Sequence, residues 1–179
     1  MNVFFTSDTH FGDHRVLNIR PRPFGSLDEM KEALIARWNA RVRPEDDIWH
    51  LGDFASSLKV GQLVLPKLNG RKHLLAGNND PEAVCRLEWS SVQRYAEVVV
   101  EGTMLVLCHY PFRTWNRMHR GSVNLHGHSH GRLAPLKHQF DVGVDARGFE
   151  PILLTELLSE GDNSRLSIAG RAKIQASNS

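Results

Sequence analysis

Five short apolar or β-branched runs recur along the chain, and each one stops at a polar cluster. Runs of this length that are bounded by polar and turn residues are typical of buried β-strands. The pattern predicts strands over residues 2–6, 47–51, 72–76, 103–107 and 122–125.

Residue patterns typical of α-helices lie between the first three of these strands and after the third. Ser26 and Glu29 form a capping-box pattern, and apolar side chains follow it at helical spacing. Pro66 must end or kink a second helix, whereas Asp80 and Pro81 predict the N-cap and first residue of a third. Helices are predicted over residues 27–40, 58–68 and 81–89, and further strands over 95–100 and 139–144. Strands that alternate with helices and later follow one another predict a layered α/β domain, partly antiparallel in its second half.

Composition narrows the class of protein. The 179 residues predict one domain over 1–158, followed by a polar tail over 159–179 that we expect to be flexible. With 22 basic and 20 acidic side chains, the net charge of +2 predicts neither a nucleic-acid groove nor an anionic membrane surface. Two cysteines and no run of about 20 apolar residues favour a cytoplasmic protein that is not embedded in a membrane.

Potential metal ligands follow all five predicted strands. In an open α/β sheet the ligand site lies beyond the carboxyl ends of the strands, so these side chains should meet. They comprise more ligands than one tetrahedral ion needs, whereas two ions that share a carboxylate would use them all. Each motif alone is a weak indication of a metal site, but five motifs in order, each after a predicted strand, favour a two-metal site over coincidence. The ligands are Asp8, His10, Asp53, Asn78, His109, His128 and His130.

The spacing of these ligands carries two further expectations. Asp8 with His10, and His128 with His130, project to one side if the backbone there is extended. A glycine precedes three of the ligands, where a missing Cβ permits a sharp turn and close approach to a substrate. These glycines are Gly52, Gly77 and Gly127. Oxygen and imidazole ligands without thiolate suit manganese first, and also iron, nickel, cobalt or zinc.

The order of motifs resembles the calcineurin-like metallophosphoesterases over residues 2 to about 158. It is carried by Asp8-x-His10, Gly52-Asp53, Gly77-Asn78, His109 and Gly127-His128-x-His130, and the flanking residues resemble the small, capless bacterial and phage branch. The resemblance implies a four-layer α/β/β/α sandwich with mixed sheets and two divalent metal ions. It places Asp8, His10 and His130 on the first ion, and Asn78, His109 and His128 on the second. Asp53 and a water or hydroxide would bridge the two ions.

The function implied is hydrolysis of a phosphodiester, and also of a phosphomonoester, in a small substrate such as a nucleotide or cyclic nucleotide. Position 79 departs from the family, which has histidine where this chain has Asn79, followed by Asp80. Asparagine can donate a hydrogen bond to a leaving oxygen but no proton, and general-acid help is worth about 10² to 10⁴ in rate. We therefore expect aryl esters, anhydrides or strained cyclic diesters to be better substrates than alkyl esters.

Several other residues are candidates for the site. Arg113 is the best one for phosphate contact, in a loop whose aromatic residues Phe112 and Trp115 either stack a base or pack on the core. Asp145 either orients a ligating histidine or belongs to a turn, and Asp80 either caps its helix or supports Asn78. His14, His119 and His126 either replace the missing acid or have supporting or surface roles, which we favour, and we expect a structural role for His50 and burial for Cys108.

Two rival functions remain open at this point. One is a catalytically impaired metal-binding or scaffold protein that has lost turnover together with the histidine at position 79. The other is a nuclease or nucleic-acid-binding module, which the near-neutral charge disfavours. The oligomeric state is left open by the sequence.

Overall fold

A computed structural model describes residues 1–19, 22–134 and 136–159 of the chain. The predicted tail lies outside the described residues except for its first residue, Ser159. No helix in these three ranges is both long enough and apolar enough to cross a membrane.

The first sheet has five strands in the order β4-β3-β2-β1-β9. Strands β1 to β4 are parallel neighbours, and β9 pairs with β1 in the antiparallel sense. In register, Phe5 of β1 lies opposite Trp49 of β2. The strands are β1 (Val3–Thr6), β2 (Asp47–His50), β3 (Arg71–Leu75), β4 (Ser91–Gln93) and β9 (Ile152–Leu153).

The second sheet has four strands in the order β5-β6-β7-β8. Strands β5 and β6 are antiparallel, whereas β6, β7 and β8 are parallel. The last of these ends at Asp141 and not at residue 144, because Val144–Ala146 turns into a 3-10 helix. The strands are β5 (Tyr95–Val100), β6 (Thr103–Cys108), β7 (Val123–His126) and β8 (Gln139–Asp141).

Four short or medium helices are α1 (Val16–Ile19), α2 (Leu27–Arg41), α3 (Leu58–Val64) and α4 (Glu82–Cys85), and residues 154–159 are also helical. Helix α2 starts as predicted, since the Ser26 hydroxyl accepts the Glu29 N–H at 3.1 Å. Helix α3 ends early, and Leu65–Lys67, which contains Pro66, continues as a 3-10 turn.

The prediction for the third helix is wrong in two respects. Helix α4 has a single turn, and its N-cap is Pro81 rather than Asp80. The Asp80 carboxylate binds backbone N–H groups of other loops instead. The sequence patterns also miss α1, β4 and β9, which are too short to show a period.

Two apolar clusters hold the layers together. Because successive side chains of a strand point to opposite faces, Phe4 packs with α2 and α3 while Phe5 packs between the sheets. The cluster between the sheets joins Leu51 and Leu75 to Leu107 and Leu125. Each such side chain contributes about 1.5–3 kcal/mol when it is fully buried. The predicted α/β class with two mixed sheets is confirmed.

Loop 109–121 packs on part of the outer face of the second sheet, and Val99 of β5 stays 72% exposed there. Asn116 donates to Glu97 of β5, and Phe112 donates its N–H to the Asn124 side chain of β7. Gln139 of β8 donates to the Phe112 carbonyl oxygen at 2.5 Å. The strand ends that carry the predicted ligands meet at one edge, where a bridge between Ser7 and Gly143 joins the two sheets.

Candidate metal centre

Five of the seven predicted ligands have left-handed backbone conformations. Their φ values are 58° at Asp8, 50° at His10, 58° at Asp53, 66° at His128 and 50° at His130. The expectation of extended backbone in the two pairs is therefore wrong. A left-handed conformation outside glycine costs of order 1 kcal/mol or more, and such residues cluster at functional sites. Here the chain turns sharply after β1, β2 and β7, the strands that these five ligands follow.

An inner group consists of Asp8, His10 and His130. Its ligand atoms lie within 4.8 Å of one another. The Nε2 atoms of both histidines are 3.9 Å from Asp8 Oδ1, and their rings stack with centroids 5.4 Å apart. Asp8 and His10 are buried, so this group is closed to bulk water.

An outer group consists of Asn78, His109 and His128. His109 is buried, whereas Asn78 and His128 are exposed. Asn78 Oδ1 lies 3.0 Å from His109 Nε2, and the His109 and His128 rings are 5.1 Å apart. The outer group therefore opens to solvent.

Asp53 lies between the two groups. Its Oδ2 atom is 3.5 Å from His10 Nε2 and 3.6 Å from His109 Nε2. Asp8, Asp53 and His109 also place ligand atoms within 4.8 Å of one another, so the two groups are contiguous. The seven predicted ligands thus come from both sheets to one continuous cluster, with a carboxylate at its centre.

The hydrogen-bond chemistry of this cluster fits divalent ions. His109 Nδ1 is 2.7 Å from the Leu51 carbonyl oxygen, so it carries the proton and leaves the Nε2 lone pair facing Asn78 Oδ1 and Asp53 Oδ2. His130 Nδ1 donates to Asp145 in the same way, at 2.7 Å. His10 Nε2 is buried without a hydrogen-bond partner among the described residues. Ring nitrogens and carboxylate oxygens that face one another in this way fit the ligand set of a bound cation.

The pKa values of the buried side chains in the cluster also favour bound cations. Burial raises the pKa of Asp8 to about 8, and burial lowers the pKa of His10 to about 4. Burial also opposes ionisation of Asp53, but His109 and Asn79 outweigh it and lower the pKa of that carboxyl. The protein thus holds a buried acid, Asp8, whose ionisation is unfavourable, close to the neutral His10 imidazole, whereas the hydrogen bond to Asp145 raises the pKa of His130. Bound cations would relieve the cost of ionising Asp8.

A buried arginine that sequence reasoning missed supports the inner group. Arg22 donates hydrogen bonds from Nε and Nη2 to the Asp145 carboxylate at 2.9 and 2.7 Å. It also donates to the backbone oxygens of Asp8 and Thr9. Burial opposes ionisation of Asp145, but hydrogen bonds from His130 and Arg22 lower its pKa to about 2. Asp145 therefore orients His130 and also sits in a 3-10 turn, which joins its two predicted roles. No motif around Arg22 signals this contact.

Asp80 and Asp141 hold the ligand loops in place. The Asp80 carboxylate accepts N–H groups of Asp53, Phe54 and Gly77 at 2.7, 2.7 and 2.8 Å, which fastens two ligand loops to each other. Asp80 therefore supports Asn78 through the backbone N–H of Gly77, the residue before Asn78. Asp141, which sequence reasoning missed, accepts from the Ser129 hydroxyl and the Gly131 N–H at 2.7 Å. Both carboxylates act as positioning groups.

The glycines before the ligands serve a different purpose from the one expected. A Cβ on Gly77 would overlap Asp53 Oδ1, and a Cβ on Gly127 would overlap Ser7 Oγ and lie 2.5 Å from Asp8 Oδ2. Close approach is thus to the ligand carboxylates themselves. Gly52, with φ +95°, is the one of the three that needs left-handed freedom.

Asn79 contacts the central carboxylate directly. Its backbone N–H donates to Asp53 Oδ1 at 2.8 Å, and its side-chain amide donates to Oδ2 at 2.6 Å. Arg113 is exposed and forms no hydrogen bond or ion pair within the described ranges, so its phosphate contact stays a prediction. Trp115 donates to the Ser122 carbonyl oxygen, and Phe112 lies beside Tyr95, which favours packing over base stacking.

The remaining candidates fall outside the ligand set. His14 and His119 are exposed, whereas His126 is buried with Nδ1 2.8 Å from the Gly127 oxygen. His50 is fully buried, and its Nε2 lies 3.0 Å from the Thr9 hydroxyl. Cys108 is buried, as expected.

Comparison with known proteins gives evidence that is independent of this geometry. The calcineurin-like phosphoesterase superfamily domain matches residues 1–140. An uncharacterized protein of Methanocaldococcus jannaschii is 26% identical over 172 residues, which cover 89% of this chain and 92% of that protein. The Gene 66 protein of Mycobacterium phage D29 is 31% identical over 179 residues, which cover 81% of this chain and 88% of its own.

A solved structure has the same fold. The protein of unknown function AQ665 from Aquifex aeolicus aligns with a TM-score of 0.68 at 21% identity, over 88% of this chain and 97% of that one. The domain match extends through the strand ends that supply all seven predicted ligands. The chain therefore belongs to the calcineurin-like phosphoesterase superfamily.

Proposed function

We propose that this protein is a phosphoesterase with a binuclear metal centre that hydrolyses phosphodiesters, and phosphomonoesters less readily, in the cytoplasm. One observation carries the proposal. Asp53 Oδ2 lies 3.5 Å from His10 Nε2 and 3.6 Å from His109 Nε2, so one carboxylate oxygen faces ring nitrogens of both groups, and the donor that it accepts from is the Asn79 amide. Manganese is the ion we propose first, and a small phosphorylated molecule such as a nucleotide is the substrate.

The geometry supports the division of the ligands between two ions that the family resemblance implies. Asp8, His10 and His130 would hold one ion, Asn78, His109 and His128 the other, and Asp53 would contact both. Such ions lower the pKa of water and neutralise charge on phosphoryl oxygens. The protein's own contribution is to fix the ligand side chains through Asp80, Asp141 and Asp145, so that little reorganisation is needed when substrate arrives.

The open side of the site favours a diester or the end of a larger molecule. Asn78 and His128 are exposed, and Tyr110 beside them is 44% exposed, with its ring 4.8 Å from His128. In the described ranges no inserted segment covers this face. A substrate can therefore extend away from the reacting phosphate on either side.

The test uses metal-stripped protein resupplied with Mn²⁺, Ni²⁺, Co²⁺ or Zn²⁺, and bis-p-nitrophenyl phosphate and p-nitrophenyl phosphate as substrates. We expect metal-dependent turnover that Asp53→Asn reduces below detection. The matched control is Asp47→Asn, since Asp47 pairs with Arg71 at the opposite end of the strands. Two bound ions per chain without turnover of either ester would contradict the proposal and favour the scaffold function. The ratio of the two rates ranks diester against monoester.

A further inference from the structure

An exposed guanidinium lies next to the ligand cluster and belongs to neither group of ligands. Arg15 donates from Nε to Asp13 Oδ1 at 3.0 Å and from Nη2 to Asp13 Oδ2 at 2.7 Å, and its backbone N–H also donates to Asp13. Asp13 is buried, so it anchors one edge of the guanidinium firmly. An arginine held by a buried carboxylate is pre-organised and loses little entropy when it binds a ligand.

The other side of Arg15 faces the ligand cluster. Arg15 Nη2 is 3.5 Å from Asn79 Oδ1, and the Asn79 amide donates to Asp53 Oδ2 at 2.6 Å. Only the Asn79 side chain therefore separates the guanidinium from the central carboxylate. The Arg15 side chain is 69% exposed, and its Nη1 makes no hydrogen bond with the described residues. Free donors thus point into solvent beside the open outer group.

Asn79 and Arg113 are weaker candidates for binding phosphoryl oxygens. Asn79 is neutral, and its backbone N–H and one amide proton are both directed at Asp53. Arg113 is exposed and makes no hydrogen bond or ion pair in the described part of the chain, so nothing fixes its guanidinium. Arg15 is both charged and fixed, and arginine matches phosphate geometry with two parallel hydrogen bonds.

We propose that Arg15, held by Asp13 beside Asn79, binds the non-bridging oxygens of the reacting phosphoryl group, in a site without a general acid whose substrates are esters and anhydrides with a leaving group that departs as a stable anion. This inference rests on the proposed function of the same site. Water oxygen forms the new bond to phosphorus, and its proton passes to solvent. The leaving oxygen takes the electron pair of the broken bond and is not protonated by Asn79 or Arg15. Aryl phosphates and nucleoside polyphosphates are substrates of this class.

The first measurement is binding of inorganic phosphate to the Mn²⁺-loaded full chain by calorimetry. We expect Arg15→Gln to weaken binding about 10- to 100-fold, because a charge-assisted hydrogen bond is lost. Arg15→Lys should fall between the two, since lysine keeps the charge but not the paired donors. The control is Arg86→Gln, whose side chain is also exposed and pairs with Glu82 away from the site. Phosphate affinity of Arg15→Gln within twofold of wild type, at an unchanged melting temperature, would overturn the inference.

The second measurement separates phosphoryl contact from leaving-group assistance. Arg15→Gln should lower kcat/KM for p-nitrophenyl phosphate and phenyl phosphate by the same factor, mostly through KM. A larger loss for phenyl phosphate would mean that Arg15 acts on the leaving oxygen, and would overturn its assignment to the non-bridging oxygens. If wild type hydrolyses the esters but Arg15→Gln binds phosphate as tightly as wild type does, only the role of Arg15 is rejected. Phosphate affinity that depends on Arg15 without turnover of any ester rejects the proposed function alone, and absence of both rejects both.

Discussion

The inner and outer groups of the candidate metal centre are built differently. In the inner group Asp8 and His10 are buried, all three ligands have left-handed backbone, and Arg22 and Asp145 brace them from behind. In the outer group only His109 is buried, and its proton goes to a backbone oxygen. Rigid, buried ligands bind an ion tightly, whereas an exposed amide and imidazole favour exchange and access. We therefore expect a tightly held ion in the inner group and an exchangeable one in the outer group.

The largest expected effect concerns the buried ion pair behind the inner group. Arg22→Met removes both arginine hydrogen bonds from the buried Asp145 carboxylate and leaves it only the His130 contact, which should cost about 3 kcal/mol of unfolding free energy. Arg41→Met removes a partly exposed pair with Glu156 and should cost about 1 kcal/mol or less. Urea unfolding of both metal-free variants measures the difference. Equal losses would mean that the inner group is no better braced than the surface.

A second prediction concerns the residue beneath the inner group. The Thr9 hydroxyl donates to the Phe54 oxygen, so His50 Nε2 carries the proton, and Nδ1 is buried without a partner in the described ranges. Burial lowers the pKa of His50 to about 3. The unfolded chain therefore takes up this proton below about pH 6.5 and the folded chain does not, so stability falls with acid by about 1.4 kcal/mol per pH unit.

His50→Phe removes this proton and keeps the ring that packs near Trp38 and Phe54. Between pH 6.5 and 4.5 we expect wild type to lose about 2–3 kcal/mol more than the variant. Urea unfolding at several pH values in that window measures it. Parallel curves for the two proteins would show that His50 is protonated in the folded state.

The third prediction separates the two groups by metal affinity. Asp145→Asn should weaken the tighter Mn²⁺ step about 10- to 100-fold, because a carboxylate that orients a ligating histidine is lost. Asn78→Ala should remove the weaker step and leave the tighter one. Calorimetric titration of metal-free protein measures both. If Asp145→Asn weakened both Mn²⁺ steps equally, the inner and outer groups would be one coupled metal site rather than two distinct ones.

The sequence predicts which side chains gather at the strand ends far better than it predicts what holds them there. Asp8, His10 and the other five follow strand-like runs in order, and the parallel strands of one sheet end at one edge, so convergence within each sheet needs no tertiary detail, whereas the meeting of the two sheets does. The left-handed backbone at Asp8 or His130 has no local signature, because it is imposed by bonds to distant loops such as His128 N–H to Asp8.

Supporting residues are hidden for the same reason. Arg22 and Asp145 are 123 positions apart, and Asp80 acts on Asp53 across 27, so neither contact shows in a local window. Asp80 before a proline fits the pattern of a helix cap, and its contacts with the distant N–H groups of Asp53 and Phe54 override that pattern. Short elements such as β9 exist only because β1 offers an edge to pair with.

The smallest expected effect concerns the ring that borders the outer group. Tyr110 lies edge-on to His109 and His128 at 5.1 and 4.8 Å, and aromatic pairs of this kind contribute about 0.5–1.5 kcal/mol. Tyr110→Leu should therefore weaken the looser Mn²⁺ step by about 2- to 10-fold and leave the tighter step unchanged. Tyr95→Leu is the matched control, since Tyr95 is 43% exposed and belongs to β5. A change in the tighter step would show that the aromatic contact reaches the inner group through Asp53, and the two groups would then be coupled rather than distinct.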